Sequence, residues 1–350
     1  LLVKEQEKGD GRFPTVKSPN PENGEALALG IEQAKKEKAD LVLATDPDAD
    51  RMGVAVRNSS GEYELITGNQ IGSLLSAYRI DRMRAKGWIQ PGQEKSCCLI
   101  KTFVTTDLQK EIAAVAGIRC VETLTGFKYI GEKLGIYEKQ AGGRGKMGAE
   151  EWRKKRMEKS TFFVFGGEES YGYSGGDYVR DKDANGAVLM FVEAAAWAKS
   201  QGRNLLEEMD EIYRRHGLYL EKLGTLEMPG AEGAKQIAQA VESYQSRPPK
   251  VWGGRKVVGV IDFEKGCHRD VEGQEIPKER MLIFDLGEGF RVAVRASGTE
   301  PKMKCYFFGK RKVGATEDLG RAKQELSGEL NELWSWTQAD AEKRAQGEVR

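Results

Sequence analysis

The chain has 350 residues, a length that suits two or three domains rather than one. A hydrophobic fraction of 39%, with 42 glycines in no short period, marks a globular protein and excludes a fibrous or disordered one. Lys and Arg balance Asp and Glu to a formal net charge of +1, which indicates neither a nucleic-acid-binding nor a membrane-binding surface; any anionic ligand must be held by local groups.

In chain order, a helical pattern over 22–38 opens at Pro21 and Glu22. Short buried strands are predicted at 41–44 and 52–56, and an amphipathic helix over 70–86 stops at Gly87 as its C-cap. That alternation predicts an α/β layer with a largely parallel or mixed sheet. A second unit of similar texture begins near Lys95, with strands at 98–101, 119–122 and 162–165 and helices over 106–116, 129–134 and 187–199. It contains a Gly/Lys/Arg-rich insert over 140–159, which is no P-loop because Met147 follows Lys146 where Ser or Thr is required. After His216, Pro248-Pro249 and Gly253-Gly254 punctuate loops between strands at 257–263, 281–286, 290–294 and 304–308, before a helix over about 317–336. The predicted fold class is α/β: two mixed α/β sheet domains over 1–94 and 95–216, plus a small C-terminal α+β domain with an antiparallel sheet over 217–350.

The five cysteines include adjacent Cys97 and Cys98 but no CxxC, which reads as reduced thiols in a cytosolic protein. No basic start precedes an apolar run, and the longest apolar stretch, 186–198, is interrupted by Glu193 and too short for a bilayer. A soluble, cytoplasmic protein is expected. The chain opens at Leu1 in a polar stretch with the texture of a domain interior, so a fragment is expected.

The sequence Asp46-Pro47-Asp48-Ala49-Asp50-Arg51 follows the first predicted strand. Pro47 cannot donate to a ladder, so the strand ends there and the chain turns. Three carboxylates at alternate positions on a turn can converge on one hard cation; Mg²⁺ suits oxygen ligands and leaves positions for water or phosphate. Without a cation they would repel one another. An EF-hand needs Gly at position six and Glu at position twelve, where this chain has Arg51 and Arg57, so that reading fails. A solvated acidic turn is the plain alternative, weakened by Arg51, whose guanidinium suits a phosphate bridging it and the metal.

Three further loops carry chemistry. Thr123-Leu124-Thr125-Gly126-Phe127-Lys128 gives a tight turn and a cation after a strand. Gly167-Glu168-Glu169-Ser170-Tyr171-Gly172 puts carboxylates and a hydroxyl at a strand's C-terminal end, where α/β folds bind ligands; a capped helix start would look similar. Arg295-Ala296-Ser297-Gly298-Thr299-Glu300-Pro301-Lys302 could expose backbone N–H groups in a phosphate-holding nest, with Arg295 adding a bidentate contact, or be an ordinary hairpin turn. The charge run Arg180-Asp181-Lys182-Asp183 is either a solvated helix N-terminus or a device that brings Lys182 to the chemistry.

In this order the loops resemble those of the α-D-phosphohexomutase superfamily, the phosphoglucomutase/phosphomannomutase type. The DPDADR form at 46–51 is similar to its bacterial and phosphopentomutase-like branch. The resemblance implies a Mg²⁺-dependent phosphoryl shift between the 1- and 6-positions of a hexose phosphate, through a phosphoserine enzyme and a hexose 1,6-bisphosphate. It implies Asp46, Asp48 and Asp50 as metal ligands and Arg51 and Lys182 at the chemistry. Thr125, Gly126, Lys128, Glu168 and Ser170 would contact the sugar, and Arg295, Ser297, Gly298 and Thr299 the non-reacting phosphate. The family's nucleophile lies in a TASHNP-like segment, and neither His216 nor His268 follows a serine. The expectation is therefore a chain lacking the N-terminal phosphoserine domain. Phosphopentomutase, sugar 1,6-bisphosphate synthase and a non-catalytic sugar-phosphate-binding protein remain alternatives.

Overall fold

The computed structural model describes residues 1–296 and 301–348. The chain divides into two compact units, Leu1–Ile212 and Tyr213–Arg350, and the helix Leu205–His216 runs across the division.

In the first unit, Leu41–Thr45, Met52–Arg57 and Tyr63–Leu65 form a three-stranded sheet in which every pairing is antiparallel. The parallel component expected here is absent among the described strands, for a simple reason. Only residues 46–51 join Leu41–Thr45 to Met52–Arg57, and a parallel return needs a crossover of a dozen residues or more. The helix Gly24–Glu37 covers this sheet, burying Leu27 and Ala34 against Val42 and Ala55.

A second sheet runs in the order Arg119–Thr123, Cys97–Thr102, Phe162–Gly167, Tyr173–Ser174. The first three strands are parallel and the last is antiparallel. Cys97–Thr102 is buried throughout, as the central strand of a covered sheet must be. Cys98, Ile100, Val121 and Phe163 pack there against Phe127, Ile130, Leu134 and Tyr137 of the helix Phe127–Gln140. Each such large apolar side chain contributes about 1.5–3 kcal/mol by burial. That helix is longer than the expected 129–134, and the insert folds from Ala149 to Lys159 as another helix. Side-chain caps fix three further helices: Thr67 and Gln70 form a capping box on Gly68–Ala85, Thr106 caps Asp107–Val115 and Asp183 caps Ala184–Ser200.

The second unit is a five-stranded antiparallel sheet ordered Gly259–Asp262, Met281–Asp285, Phe290–Ala296, Lys302–Arg311, Leu218–Glu227. The helices Gly230–Ser246 and Leu319–Ala345 pack on it. Trp252 is fully buried there; its indole N–H donates to Thr337 Oγ1 at 2.7 Å and its ring stacks on Tyr244. The expected mixed α/β architecture with an antiparallel C-terminal sheet is thus present, with a strand (Leu218–Glu227) and a helix (Gly230–Ser246) that local pattern did not predict. Among the described residues no helix is long and apolar enough to cross a membrane.

Candidate active site

The residues 46–51 close the hairpin whose last pair is Thr45 with Met52, so both ends of the acidic loop are held by the ladder. Within it, the Asp46 carboxylate is 2% exposed and organises the turn. Its Oδ1 accepts from the backbone N–H of Asp50 (3.0 Å) and Arg51 (2.9 Å), and its Oδ2 accepts from Arg51 Nε (2.7 Å). Arg51 also reaches Glu22 Oε1 at 3.3 Å. This curl forces Ala49 to a left-handed φ of 55°, a conformation a residue with a Cβ seldom adopts. As a result Asp46, Asp48 and Asp50 each present a carboxylate oxygen within 4.8 Å of the others.

The electrostatics split the trio. Burial alone would raise the Asp46 carboxyl, but hydrogen bonds from the Arg51 backbone and side chain outweigh it and hold Asp46 below its ordinary range. Burial and the charge of Asp46 push Asp50 up, despite Lys182 beside it. Lys182 Nζ lies 2.9 Å from Asp50 Oδ2 and 3.0 Å from Asp181 Oδ1. Burial would lower its pKa, but these two carboxylates raise it, so it is a firm ammonium. Three converging hard oxygen donors without His or Cys fit a Mg²⁺-type cation.

Backbone contacts knit the other loops to this hairpin. Met52 N donates to Tyr171 O and Ala184 N donates to Ala49 O, each at 3.0 Å, and Arg51 bridges Gly172. Tyr171 is left-handed too, with φ 67°, so each of the two loops that meet holds a left-handed non-glycine residue. A Cβ on Gly172 would lie 2.3 Å from Lys182 Cδ, so glycine is what lets the lysine cross the loop to Asp50. On the other side, buried Glu168 accepts from Gly126 N at 2.7 Å, linking the 123–128 and 167–172 loops. Gly126 has φ 119° and starts the helix Phe127–Gln140. Thr125 Oγ1 is buried with no hydrogen-bond partner among the described residues, Ser170 is half-buried, and exposed Lys128 lies over the Tyr129 ring.

Asp46, Asp48, Asp50, Arg51, Lys182, Thr125, Gly126, Glu168 and Ser170 therefore belong to one connected set of loops in the first unit. Arg295 is in the second unit, on the strand Phe290–Ala296, where its Nε donates to Glu279 Oε1 at 2.5 Å. Ser297, Gly298 and Thr299 lie outside the described residues. Pattern reading missed Glu22, which looked like a helix start, and gave Glu169 of the 167–172 loop no role of its own. Glu169 accepts from Thr102 and Thr105 hydroxyls at 3.3 Å, and burial, then the charge of Glu168, push its pKa up to about 7. The partners of both come from distant segments, Arg51 for Glu22 and Thr102 and Thr105 for Glu169.

The family profile for phosphoglucomutase/phosphomannomutase alpha/beta/alpha domain II matches residues 1–61, and that for domain III matches residues 67–216. A phosphoglucomutase of Staphylococcus epidermidis (strain RP62A) is 34% identical over 310 residues, 87% of this chain and 52% of that protein. A phosphoglucomutase of Staphylococcus aureus (strain MRSA252) is 34% identical over 310 residues, 87% of this chain and 51% of that protein. The chain thus spans about half the length of the curated relatives it matches. Among solved structures, the open form of parafusin, a phosphoglucomutase from Paramecium, superposes with a TM-score of 0.57 at 18% identity, covering 91% of this chain and 50% of that one. A phosphoglucomutase/phosphomannomutase family protein from Burkholderia thailandensis gives 0.50 at 15% identity, covering 93% and 53%. These two likenesses are of fold. With both domain profiles matching over 1–61 and 67–216 and relatives 34% identical over 87% of its length, the chain belongs to the phosphoglucomutase/phosphomannomutase family.

Proposed function

We propose that this chain is the metal-, sugar- and phosphate-binding part of a Mg²⁺-dependent phosphoglucomutase/phosphomannomutase, which interconverts hexose 1-phosphate and hexose 6-phosphate through a phosphoserine and a hexose 1,6-bisphosphate. One observation carries the reading: three carboxylates converge within 4.8 Å while Lys182 closes on one of them from a distant loop. Asp46, Asp48 and Asp50 would hold Mg²⁺, which when bound neutralises phosphoryl charge.

The protein's own residues supply positioning and charge. Arg51, anchored to Asp46 and Glu22, has a planar fork that suits a phosphoryl oxygen at the mouth of the loop. Lys182 is an ammonium that can donate a proton to a sugar oxygen and recover it through Asp181, which is not one of the metal-holding trio. Glu168 and Ser170 suit sugar hydroxyls, with Thr125, Gly126 and Lys128 on the facing loop. Arg295, with the 297–299 segment, would hold the phosphate that is not reacting. The phosphoserine of the family has no counterpart among these 350 residues, so turnover belongs to a protein that also contains that segment. A cytoplasmic location goes with this reading.

The test is turnover by the complete protein, followed separately for glucose 1-phosphate, mannose 1-phosphate and ribose 1-phosphate. Conversion of a hexose phosphate that is lost in Asp48→Ala supports the proposal. Preference for ribose 1-phosphate would move the assignment to a phosphopentomutase, and binding without turnover would make the protein a sugar-phosphate binder.

A further inference from the structure

The insert helix Ala149–Lys159 has a sequence, AEEWRKKRMEK, that reads as a solvated charged face. Yet Arg156 is fully buried, with Trp152 and Met157 also buried beside it. A buried arginine requires partners. Arg156 Nε donates to Thr161 O at 2.9 Å, and its guanidinium lies over the rings of Trp152 and Tyr137. Its Nη1 donates to Asp177 Oδ2 at 2.7 Å, and the Trp152 indole N–H donates to the same oxygen at 2.9 Å. If the helix only closed the core, apolar side chains would do so without the cost of desolvating a guanidinium.

Asp177 lies in the irregular segment between the strand Tyr173–Ser174 and the helix Ala184–Ser200. This segment carries Lys182. Its start is pinned where Arg79 Nη2 donates to Gly175 O at 2.5 Å, and its end where Asp183 caps the helix and accepts from the Tyr178 hydroxyl. The segment is also held by the half-exposed pair Arg180–Glu138, by Asp183 N donating to Tyr173 O at 2.9 Å, and by Lys182 Nζ over the Phe127 ring. The two donors on Asp177 tether the middle of the segment that carries Lys182 to Asp50, five residues before the lysine.

We propose that Trp152 and Arg156 are positioning residues, acting through Asp177 to hold the 175–183 segment so that Lys182 stays at the acidic hairpin. For its kinetic consequence this rests on the function proposed above; its structural consequence does not. Residue-resolved amide exchange on this chain reads the second. Trp152→Phe keeps the ring and removes only the N–H, and Asp177→Ala removes the acceptor. Both should speed exchange at 178–182 by roughly tenfold or more, and Arg156→Lys, which keeps the charge, should fall between them and the parent. In the complete protein the first two variants should lower kcat by roughly 10- to 100-fold with KM little changed, as expected for a misplaced catalytic group. Exchange that accelerates only within 149–159, or a looser loop with unchanged kcat, overturns the proposal. If Asp177→Ala does not fold, Trp152→Phe decides. A parent protein that turns over no sugar phosphate would sink the mutase reading alone, leaving the exchange result to decide the clamp.

Discussion

Lys182 Nζ stands 2.9 Å from Asp50 Oδ2, an ion pair between the charge run before one helix and the acidic turn of a hairpin far upstream. The lysine occupies the electrostatic position that a divalent cation on the trio would also favour, so the two compete. An ammonium and a divalent cation about 5 Å apart, at an effective dielectric near 20, repel by about 6–7 kcal/mol before screening and relaxation. Removing the lysine should therefore strengthen cation binding. Calorimetric titration of this chain with Mg²⁺ should give a Kd about tenfold lower in Lys182→Met and at least about tenfold higher in Asp48→Asn.

Gly68 opens the helix Gly68–Ala85, and a Cβ there would lie 2.0 Å from the Glu169 carbonyl oxygen. Backbone cannot yield as a flexible side chain can. Gly68→Ala should cost about 1–3 kcal/mol, seen as a lower melting temperature, and should displace the 168–172 loop. Gly87→Ala, with open space around its Cβ, should show only the smaller penalty of its left-handed φ of 67°.

Lys101 is fully buried on the central strand and pairs with Glu122 Oε1 at 2.7 Å and Asp107 Oδ1 at 3.1 Å. Burial would raise Glu122, but the charges of Lys101 and then Lys110 hold it down at about 2, against an ordinary 4.5. A depressed carboxyl adds stability that is complete above about 4.5 and is lost as pH falls towards 2. Glu122→Gln should remove that acid dependence and cost about 3–5 kcal/mol at neutral pH, measured by urea unfolding, because it strips a buried ammonium of its nearest counter-ion.

Glu169 has the opposite sign. Its folded pKa of about 7 lies above the ordinary 4.5, so the folded form holds the proton more tightly than the unfolded chain. Its contribution is complete below about 4.5 and fades as pH rises through about 7. Between those values the parent should lose at most about 3 kcal/mol relative to Glu169→Gln, read as a shift of the urea midpoint with pH.

What could be read in advance follows from where the information lies. The hairpin strands Leu41–Thr45 and Met52–Arg57 are short apolar runs flanked by breakers, so pattern and structure coincide, and Pro47 marks their turn. Their antiparallel pairing was implicit in the six-residue loop but was masked by the surrounding helix–strand alternation. Leu218–Glu227 is held by its register with Lys302–Arg311, including Glu227 opposite Lys302, and no local window contains both strands. The Ala149–Lys159 helix was illegible because its buried face is an arginine and a tryptophan with one methionine, and polarity scales place arginine outside. Lys182 lay in a run that fitted both a helix terminus and a catalytic reach, and both descriptions hold: Asp183 caps the helix while Lys182 extends to Asp50.

The central claim is most directly tested by phosphorus NMR of the complete protein supplied with glucose 1-phosphate, first with Mg²⁺ and then after chelation by EDTA. The 6-phosphate resonance should grow only while Mg²⁺ is present, return when the metal is restored, and stay absent in Asp48→Ala. Conversion that continues unchanged in EDTA or in Asp48→Ala would contradict the assignment of Asp46, Asp48 and Asp50 as the metal cradle of a phosphohexose mutase.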